Sequence, residues 1–174
     1  RIQARKTEDE AVRQAFNESI NRILSIAVTH EILAQNGLDD LKIKEMFSKI
    51  VKNSIRASIG ENLDLKTSIS GDDFKINSDK ATSIALIANE LVQNSITHGF
   101  KGRPSGNIDI VVTQGKIKSK VIITDNGVGF KTKDIKNESL GLQIVKSLVK
   151  EKLFGNLDIK STQNGTIISF DFEN

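Results

Sequence analysis

The chain has 174 residues, 37% of them hydrophobic, and a formal net charge of +3, values that are ordinary for one soluble globular unit. It contains no cysteine and only two histidines, His30 and His98, which excludes disulfides, thiolate nucleophiles and a zinc cluster. The longest apolar runs are too short to cross a bilayer, and no arginine-rich block or aromatic platform is present, so we expect neither a membrane segment nor a nucleic-acid partner.

The first predicted element is one long helix from Thr7 to Asn36, ended by Asn36-Gly37. Its apolar residues recur every seven positions, for example at Phe16 and Ile23, which is typical of a helical hairpin or bundle. The sequence start, RIQARKTEDE, has neither an initiating Met nor a signal-peptide core. We therefore expect a cytoplasmic piece of a longer protein, with a helical arm over residues 1–37 and an α+β domain over 38–174.

The later elements alternate between helices and strands. Helical spacing of apolar residues predicts helices over Lys44–Ile59, Ser78–His98 and Ser139–Phe154. Alternating or β-branched runs predict strands over Leu63–Ile69, Phe74–Ile76, Asn107–Thr113, Lys118–Thr124, Leu157–Ser161 and Thr166–Phe172. The stretch Leu38–Ile43 fits either a short strand or a linker, whereas Gly99–Gly106 and Lys131–Glu138 are predicted loops.

Two polar residues lie near the apolar face of the predicted helix Ser78–His98. Asn94 falls inside the stripe, and Glu90 lies at its edge one turn earlier. Burying such groups without partners costs roughly a few kcal/mol, and a bound cation with phosphate oxygens would satisfy them. The stripe itself is formed by Ile84, Ile87, Ala88, Leu91 and Ser95.

A carboxylate and two glycines follow the predicted strand Lys118–Thr124. Asp125 can accept a hydrogen bond from an exocyclic amine, while Gly127 and Gly129 let a flat ring approach the backbone, an arrangement that fits adenine. The alternative is a hairpin turn at Asn126-Gly127. The polar stretch Lys131–Glu138, which is no returning strand, argues against that alternative.

The helix that opens with Ser139-Leu140-Gly141-Leu142 offers free backbone N–H groups, which can cradle phosphate. An ordinary N-cap by Ser139 explains the same residues equally well. Gly141 weakens the first turn, which indicates that something approaches it closely. Five basic residues lie near these motifs in the sequence: Lys101, Arg103, Lys131, Lys133 and Lys136. Each taken alone is a solvated surface charge, but as a group they could face a triphosphate.

In this order and spacing, NELVQNSITHGF, DNGVGF and SLGLQIV resemble the Asn box and the two glycine boxes of the GHKL ATP-binding fold. Sensor histidine kinases, gyrase, the Hsp90 chaperone and MutL share this fold. The resemblance covers about Leu38 to Phe172 and implies a two-layer α/β sandwich with a mixed sheet and about three helices.

The same resemblance implies ATP and Mg²⁺ as ligands. Asn94 would hold Mg²⁺, Asp125 would bind the adenine amine, and Glu90 would act as a base or orient water or an incoming imidazole. The other residues implied to contact the nucleotide or shape its pocket and lid are His98, Lys101, Gly127, Gly129, Phe130, Gly141, Leu142 and Thr166.

The arm, with its RI-x-SIA-x-x-HE-x-L pattern, resembles the second helix of the dimerisation hairpin in one histidine kinase subfamily. It implies transfer of the ATP γ-phosphoryl group to a histidine upstream of Arg1, then to a response regulator receiver domain, in a homodimer. His30-Glu31 looks like an acceptor dipeptide, but His30 continues the heptad seam and fits a packed bundle residue better. A GHKL ATPase, an anti-sigma-type serine kinase and a non-catalytic nucleotide-binding dimerisation module stay open as alternatives.

Overall fold

The computed structural model describes residues 42–57, 63–130 and 139–174, with two isolated helical positions at 23 and 27. The predicted arm helix Thr7–Asn36 and the predicted loop Lys131–Glu138 lie outside the described residues, apart from those two positions. Within the described ranges, no helix is both long enough and apolar enough to span a membrane.

The described strands form one mixed sheet with neighbouring helices. The elements in chain order are α1 (Ile43–Ala57), β1 (Asp64–Gly71), α2 (Ser78–Asn94), β2 (Ser105–Thr113), β3 (Lys118–Asp125), α3 (Leu140–Ser147), β4 (Leu157–Thr162) and β5 (Gly165–Glu173). The strand order is β1-β2-β3-β5-β4. Strands β1 and β2 run parallel, and the other neighbouring pairs are antiparallel. The predicted α+β class is confirmed.

The core lies between one face of the sheet and the helices. Burial alternates along β2, where Ile108, Ile110 and Val112 are buried and the intervening residues are exposed. The predicted apolar face of α2 is buried throughout, including Ser95. In the described ranges helices cover one face of the sheet, which gives the two-layer sandwich that the resemblance implies.

The predicted strand Phe74–Ile76 is wrong. In this segment Lys75 makes a single antiparallel bridge to Lys42, and β1 instead continues to Gly71. This segment and the preceding Asp73 bind the first turn of α1. The Ile43 N–H donates to the Phe74 carbonyl at 3.0 Å, and the Lys44 N–H donates to the Asp73 carboxylate at 3.3 Å. Its backbone groups are used to anchor a helix N-terminus rather than to form a ladder.

Two helices end in π turns, in which each N–H bonds to the fifth preceding carbonyl. Helix α2 continues through Ser95–Gly99, closed by the Phe100 N–H on the Ser95 carbonyl at 2.9 Å. Helix α3 continues through Leu148–Lys152. The helices therefore end within two residues of the predicted ends at His98 and Phe154, but their last turns are π rather than α turns.

The end of the sheet that is remote from Asp125 is held by Asp171 of β5. Its carboxylate accepts hydrogen bonds from the Asn156 backbone N–H and side-chain amide, each at 3.1 Å, and from Lys118 Nζ at 3.2 Å. Burial would raise the pKa of Asp171, but these hydrogen bonds and the Lys118 charge lower it below its ordinary value of 3.8.

Candidate functional site

Asp125, at the end of β3, is the centre of the best-defined polar cluster in the described residues. Only 8% of the residue is exposed, and it lies in register with Thr166 of β5. Its Oδ1 accepts the Gly127 N–H at 2.8 Å and the Thr166 N–H at 3.3 Å, and its Oδ2 accepts the Ser95 hydroxyl at 2.9 Å. An ionised carboxylate offers about four acceptor positions, so this one retains capacity for a further donor.

The chain after Asp125 packs on the end of the α2 helix. The Val128 N–H donates to the Gly99 carbonyl at 2.9 Å, and a Cβ on Gly127 would lie 2.6 Å from that same carbonyl oxygen. The next strand that pairs with β3 is β5, 40 residues further along, so the hairpin interpretation of Asn126-Gly127 is wrong. Gly127 is required because two backbones meet at van der Waals contact.

The following residues pack on the edge strand β4. Gly129 has a φ of +60°, and a Cβ there would lie 1.9 Å from the Thr162 carbonyl oxygen. The Phe130 N–H donates to the Ser161 hydroxyl at 2.8 Å, and that hydroxyl lies 3.1 Å from the Thr166 hydroxyl. Through Ser161 of β4, these contacts connect the second half of the DNGVGF stretch to Thr166 of β5, the residue paired with Asp125.

Glu90 and Asn94 lie one turn apart on α2, and both are half-buried. The carboxylate of Glu90 fills the space beside the first turn of α3, because a Cβ on Gly141 would lie 1.6 Å from Glu90 Oε1. The close approach predicted at Gly141 is thus made by a side chain of this chain. Asn94 is less enclosed than the helical pattern predicts, and its side chain makes no hydrogen bond to another described residue.

The helix start at Ser139 has the ordinary cap that was one of the two predicted alternatives. The Ser139 hydroxyl accepts the Leu142 N–H at 3.3 Å. Leu142 is buried as part of the apolar core, and Gly141 is buried beside it. One N–H of the first turn is therefore already bonded, which reduces the number of donors that this helix start can offer a phosphate.

The remaining predicted site residues differ in placement. His98 and Lys101 are exposed, as is Phe130 with 42% of its surface accessible, whereas Thr166 is buried. The structure thus joins Asp125, Gly127 and Thr166 in one hydrogen-bonded cluster. Glu90 and Gly141 form a second contact, and α2 connects the two.

Two residues of the cluster, Ser95 and Ser161, are not identified from the sequence as site residues. The helical spacing places Ser95 only on the apolar face, although a hydroxyl at a buried helix position indicates that a polar partner is near. Ser161 carries no recognisable sequence signal. Arg103, which the sequence predicts as a solvated charge or as one of a group that could face a triphosphate, donates from its guanidinium to the Asn126 carbonyl and so ties the loop after α2 to the Asp125 turn.

Comparison with known proteins gives two family matches. Residues 79–174 match the family described as histidine kinase-, DNA gyrase B-, and HSP90-like ATPase, and residues 1–58 match a family described as histidine kinase.

Curated relatives include sensor histidine kinases called PdtaS. The chain is 31% identical over 172 residues to the PdtaS of Mycolicibacterium smegmatis and 32% identical over 170 residues to that of Mycobacterium tuberculosis. These alignments cover 95% and 94% of this chain but 34% and 33% of the relatives. The chain spans about a third of the length of the curated relatives it matches.

Solved structures share the fold at low sequence identity. The histidine kinase domain of the blue-light activated histidine kinase EL346 from Erythrobacter litoralis superposes with a TM-score of 0.69, covering 87% of this chain and 72% of that one at 22% identity. The Acinetobacter baumannii histidine kinase AdeS gives 0.62, covering 96% and 86% at 16% identity.

Proposed function

Since this chain belongs to the histidine kinase-, DNA gyrase B- and HSP90-like ATPase family, we propose that it forms the ATP-binding catalytic region of a sensor histidine kinase. In this proposal residues 1–37 belong to the dimerisation hairpin and residues 38–174 form the catalytic domain. The observation that carries the nucleotide site is the buried Asp125 carboxylate, which keeps acceptor capacity beside two tightly packed glycines.

The carboxylate supports recognition of adenine in particular. An exocyclic amine donates hydrogen bonds, so it suits the unused acceptor capacity of Asp125, whereas the carbonyl oxygen at the same position of guanine would be repelled. The turn beside this carboxylate is held by close backbone packing, because a Cβ on Gly127 would meet the Gly99 carbonyl and one on Gly129 would meet the Thr162 carbonyl. We assign Thr166 to the same pocket because its backbone N–H fixes Asp125 Oδ1.

The phosphate side of the site is assigned to α2. The half-buried amide of Asn94, which has no hydrogen bond to another described residue, is suited to hold Mg²⁺. No group of three or more His, Cys, Asp or Glu side chains that could bind a metal occurs in residues 42–57, 63–130 and 139–174. A single amide ligand from Asn94 fits Mg²⁺, since that ion commonly takes few protein ligands and completes its shell with water and phosphate oxygens.

Glu90 is assigned the catalytic role, one helical turn before Asn94. Its carboxylate is held against Gly141, and it would act as a base or orient the attacking group. His98 and Lys101, both exposed, would contact phosphate groups only from the solvent side of the site. Phe130 and Leu142 are assigned to the pocket wall, Phe130 at its open end and Leu142 where the wall meets the core.

Transfer of the γ-phosphoryl group to a histidine, and onward to a response regulator, is proposed for the full-length protein. The named relatives are sensor histidine kinases, and the match of residues 1–58 to a histidine kinase family disfavours a GHKL ATPase without a phosphotransfer hairpin. In phosphoryl transfer the protein chiefly positions groups and neutralises charge, which suits a site with few reactive side chains. We further propose a cytoplasmic homodimer.

The adenine assignment is tested by calorimetric titration of the protein with MgATP and MgGTP. Asp125→Asn should weaken ATP binding by about 10- to 100-fold, the usual value of a hydrogen bond to a charged group, while leaving the unfolding temperature nearly unchanged. Asp158→Asn, an exposed carboxylate on β4, is the matched control. Equal affinity for GTP and ATP in the parent protein would refute the assignment.

The metal assignment is tested by repeating the titration with and without Mg²⁺. Asn94→Ala should remove the Mg²⁺-dependent part of the ATP affinity, because the amide oxygen is the proposed ligand. Gln163→Ala, an exposed carboxamide in the β4–β5 turn, controls for loss of an amide elsewhere. Unchanged Mg²⁺ dependence in Asn94→Ala would exclude this residue as the ligand.

A further inference from the structure

We propose that Ser161 of β4 is a positioning residue of the nucleotide site, an inference that rests on the proposed function. It lies on the edge strand β4 and is half-buried. By holding the DNGVGF stretch and Thr166 at once, Ser161 would fix both sides of the pocket around Asp125.

The Ser161 hydroxyl has two partners. It accepts the Phe130 N–H at 2.8 Å, and it lies 3.1 Å from the Thr166 hydroxyl directly across the β4–β5 ladder. A hydroxyl has one donor and two acceptor positions, so both contacts are made together. Thr166 also donates its backbone N–H to Asp125, so this residue links the Ser161 hydroxyl to the carboxylate that is proposed to accept the adenine amine.

The position of Ser161 is set by close backbone packing. Gly129 lies so near β4 that a Cβ on it would be 1.9 Å from the Thr162 carbonyl oxygen and 2.9 Å from Ser161 Oγ. On its other side this stretch is tied to α2 by the Val128 N–H on the Gly99 carbonyl. The Ser161 hydroxyl is thus the β4 half of a two-sided attachment of residues 127–130.

Loss of the hydroxyl would leave the Phe130 N–H and the Thr166 hydroxyl each without a protein partner at this position. Residues 129–130 would then lose their hydrogen bond to β4, and the side chain of Thr166, the residue paired with Asp125, would lose its partner across the β4–β5 ladder. The proposal therefore predicts weaker nucleotide binding without a general loss of stability, because β4 is an edge strand with solvent on one side.

A comparison of Ser161→Thr and Ser161→Val tests the proposal. The two side chains have nearly the same shape and both suit a strand, but only Thr keeps the hydroxyl. Ser161→Val should bind MgATP about 5- to 10-fold more weakly than Ser161→Thr, and the Phe130 amide should exchange with solvent faster in the nucleotide-free Val variant alone. Should Ser161→Val fail to fold, Ser161→Ala with the same two readouts takes its place.

The outcomes separate this inference from the proposed function. Failure of the parent protein to bind ATP would overturn the proposed function, whereas the Phe130 exchange rate would still report on the Ser161 contact. Equal ATP affinity and equal Phe130 exchange in the Thr and Val variants would overturn the role of Ser161. A loss of affinity that is equal in both variants would also overturn it, because the hydroxyl would then not be responsible.

Discussion

Replacing Gly141 with alanine should separate the position of Glu90 from the stability of the fold. The added Cβ would lie 1.6 Å from Glu90 Oε1 and 2.5 Å from its Cδ. Since ordinary carbon–oxygen contacts are about 3.5 Å, the carboxylate must move by about 2 Å. The atoms that clash belong to the end of a flexible side chain, so the carboxylate can move while the backbone stays in place.

Two stability terms of Gly141→Ala nearly cancel. Alanine is favoured over glycine in a helix by up to about 1 kcal/mol, and driving Glu90 from its rotamer costs about 0.5 to 1.5 kcal/mol. The unfolding temperature should therefore shift by less than about 4 °C. Catalysis should suffer far more, because misplacing a reacting group by about 1 Å can cost 100-fold in rate.

The assay for Gly141→Ala is acid-labile labelling of the full-length protein with γ-labelled ATP, alongside thermal unfolding and ATP titration. We expect at least a 100-fold lower labelling rate with near-normal stability. In a Glu90→Ala background the same substitution should cause no further loss, since no carboxylate remains to be displaced. An unchanged rate in Gly141→Ala, or a full additional loss in the double variant, would refute the reasoning.

Three further predictions concern stability and the acceptor. Gly127→Ala brings a Cβ to 2.6 Å from the Gly99 carbonyl oxygen, which is backbone, and should lower the free energy of unfolding by about 1 to 3 kcal/mol in a denaturant titration, in contrast to Gly141→Ala. Because the folded-state pKa of Asp171 is lowered, its stabilising effect is present above pH 3.8 and lost as the pH falls through the folded pKa. Asp171→Asn should therefore cost about 1 kcal/mol at pH 7, and the difference should vanish in acid; a constant difference would contradict this. His30→Gln should leave acid-labile labelling of the full-length protein unchanged, and loss of the label would make His30 the acceptor.

Periodicity in the sequence predicted the parts of the fold that depend on one face being buried. The apolar stripe of α2 and the β4–β5 hairpin are both present as predicted. The stripe depends on local spacing and the hairpin on an Asn-Gly turn. Both form as predicted because the tertiary structure buries the same faces that the local pattern indicates. Asp125 lies buried at the end of β3, as expected for a carboxylate that closes a β-branched strand.

The contacts that shape the site could not be predicted, because they join residues far apart in the chain. Glu90 meets Gly141, and Phe130 meets Ser161, through the order of strands and not through any local pattern. Nothing in the letters around Ser161 distinguishes it from any other strand serine. The predicted strand Phe74–Ile76 failed for a related reason, since its short apolar alternation is also compatible with a segment that anchors a distant helix.

The π turn over Ser95–Gly99 makes the number of residues at the end of α2 as important as their identity. Deleting one residue there would allow an ordinary helical turn, and every following atom would rotate by about 100° about the helix axis. Gly99 would leave the Gly127 and Val128 backbones, although every side chain that was singled out as functional would still be present. A chain that keeps these functional side chains but has one residue fewer at this turn would therefore lack the site.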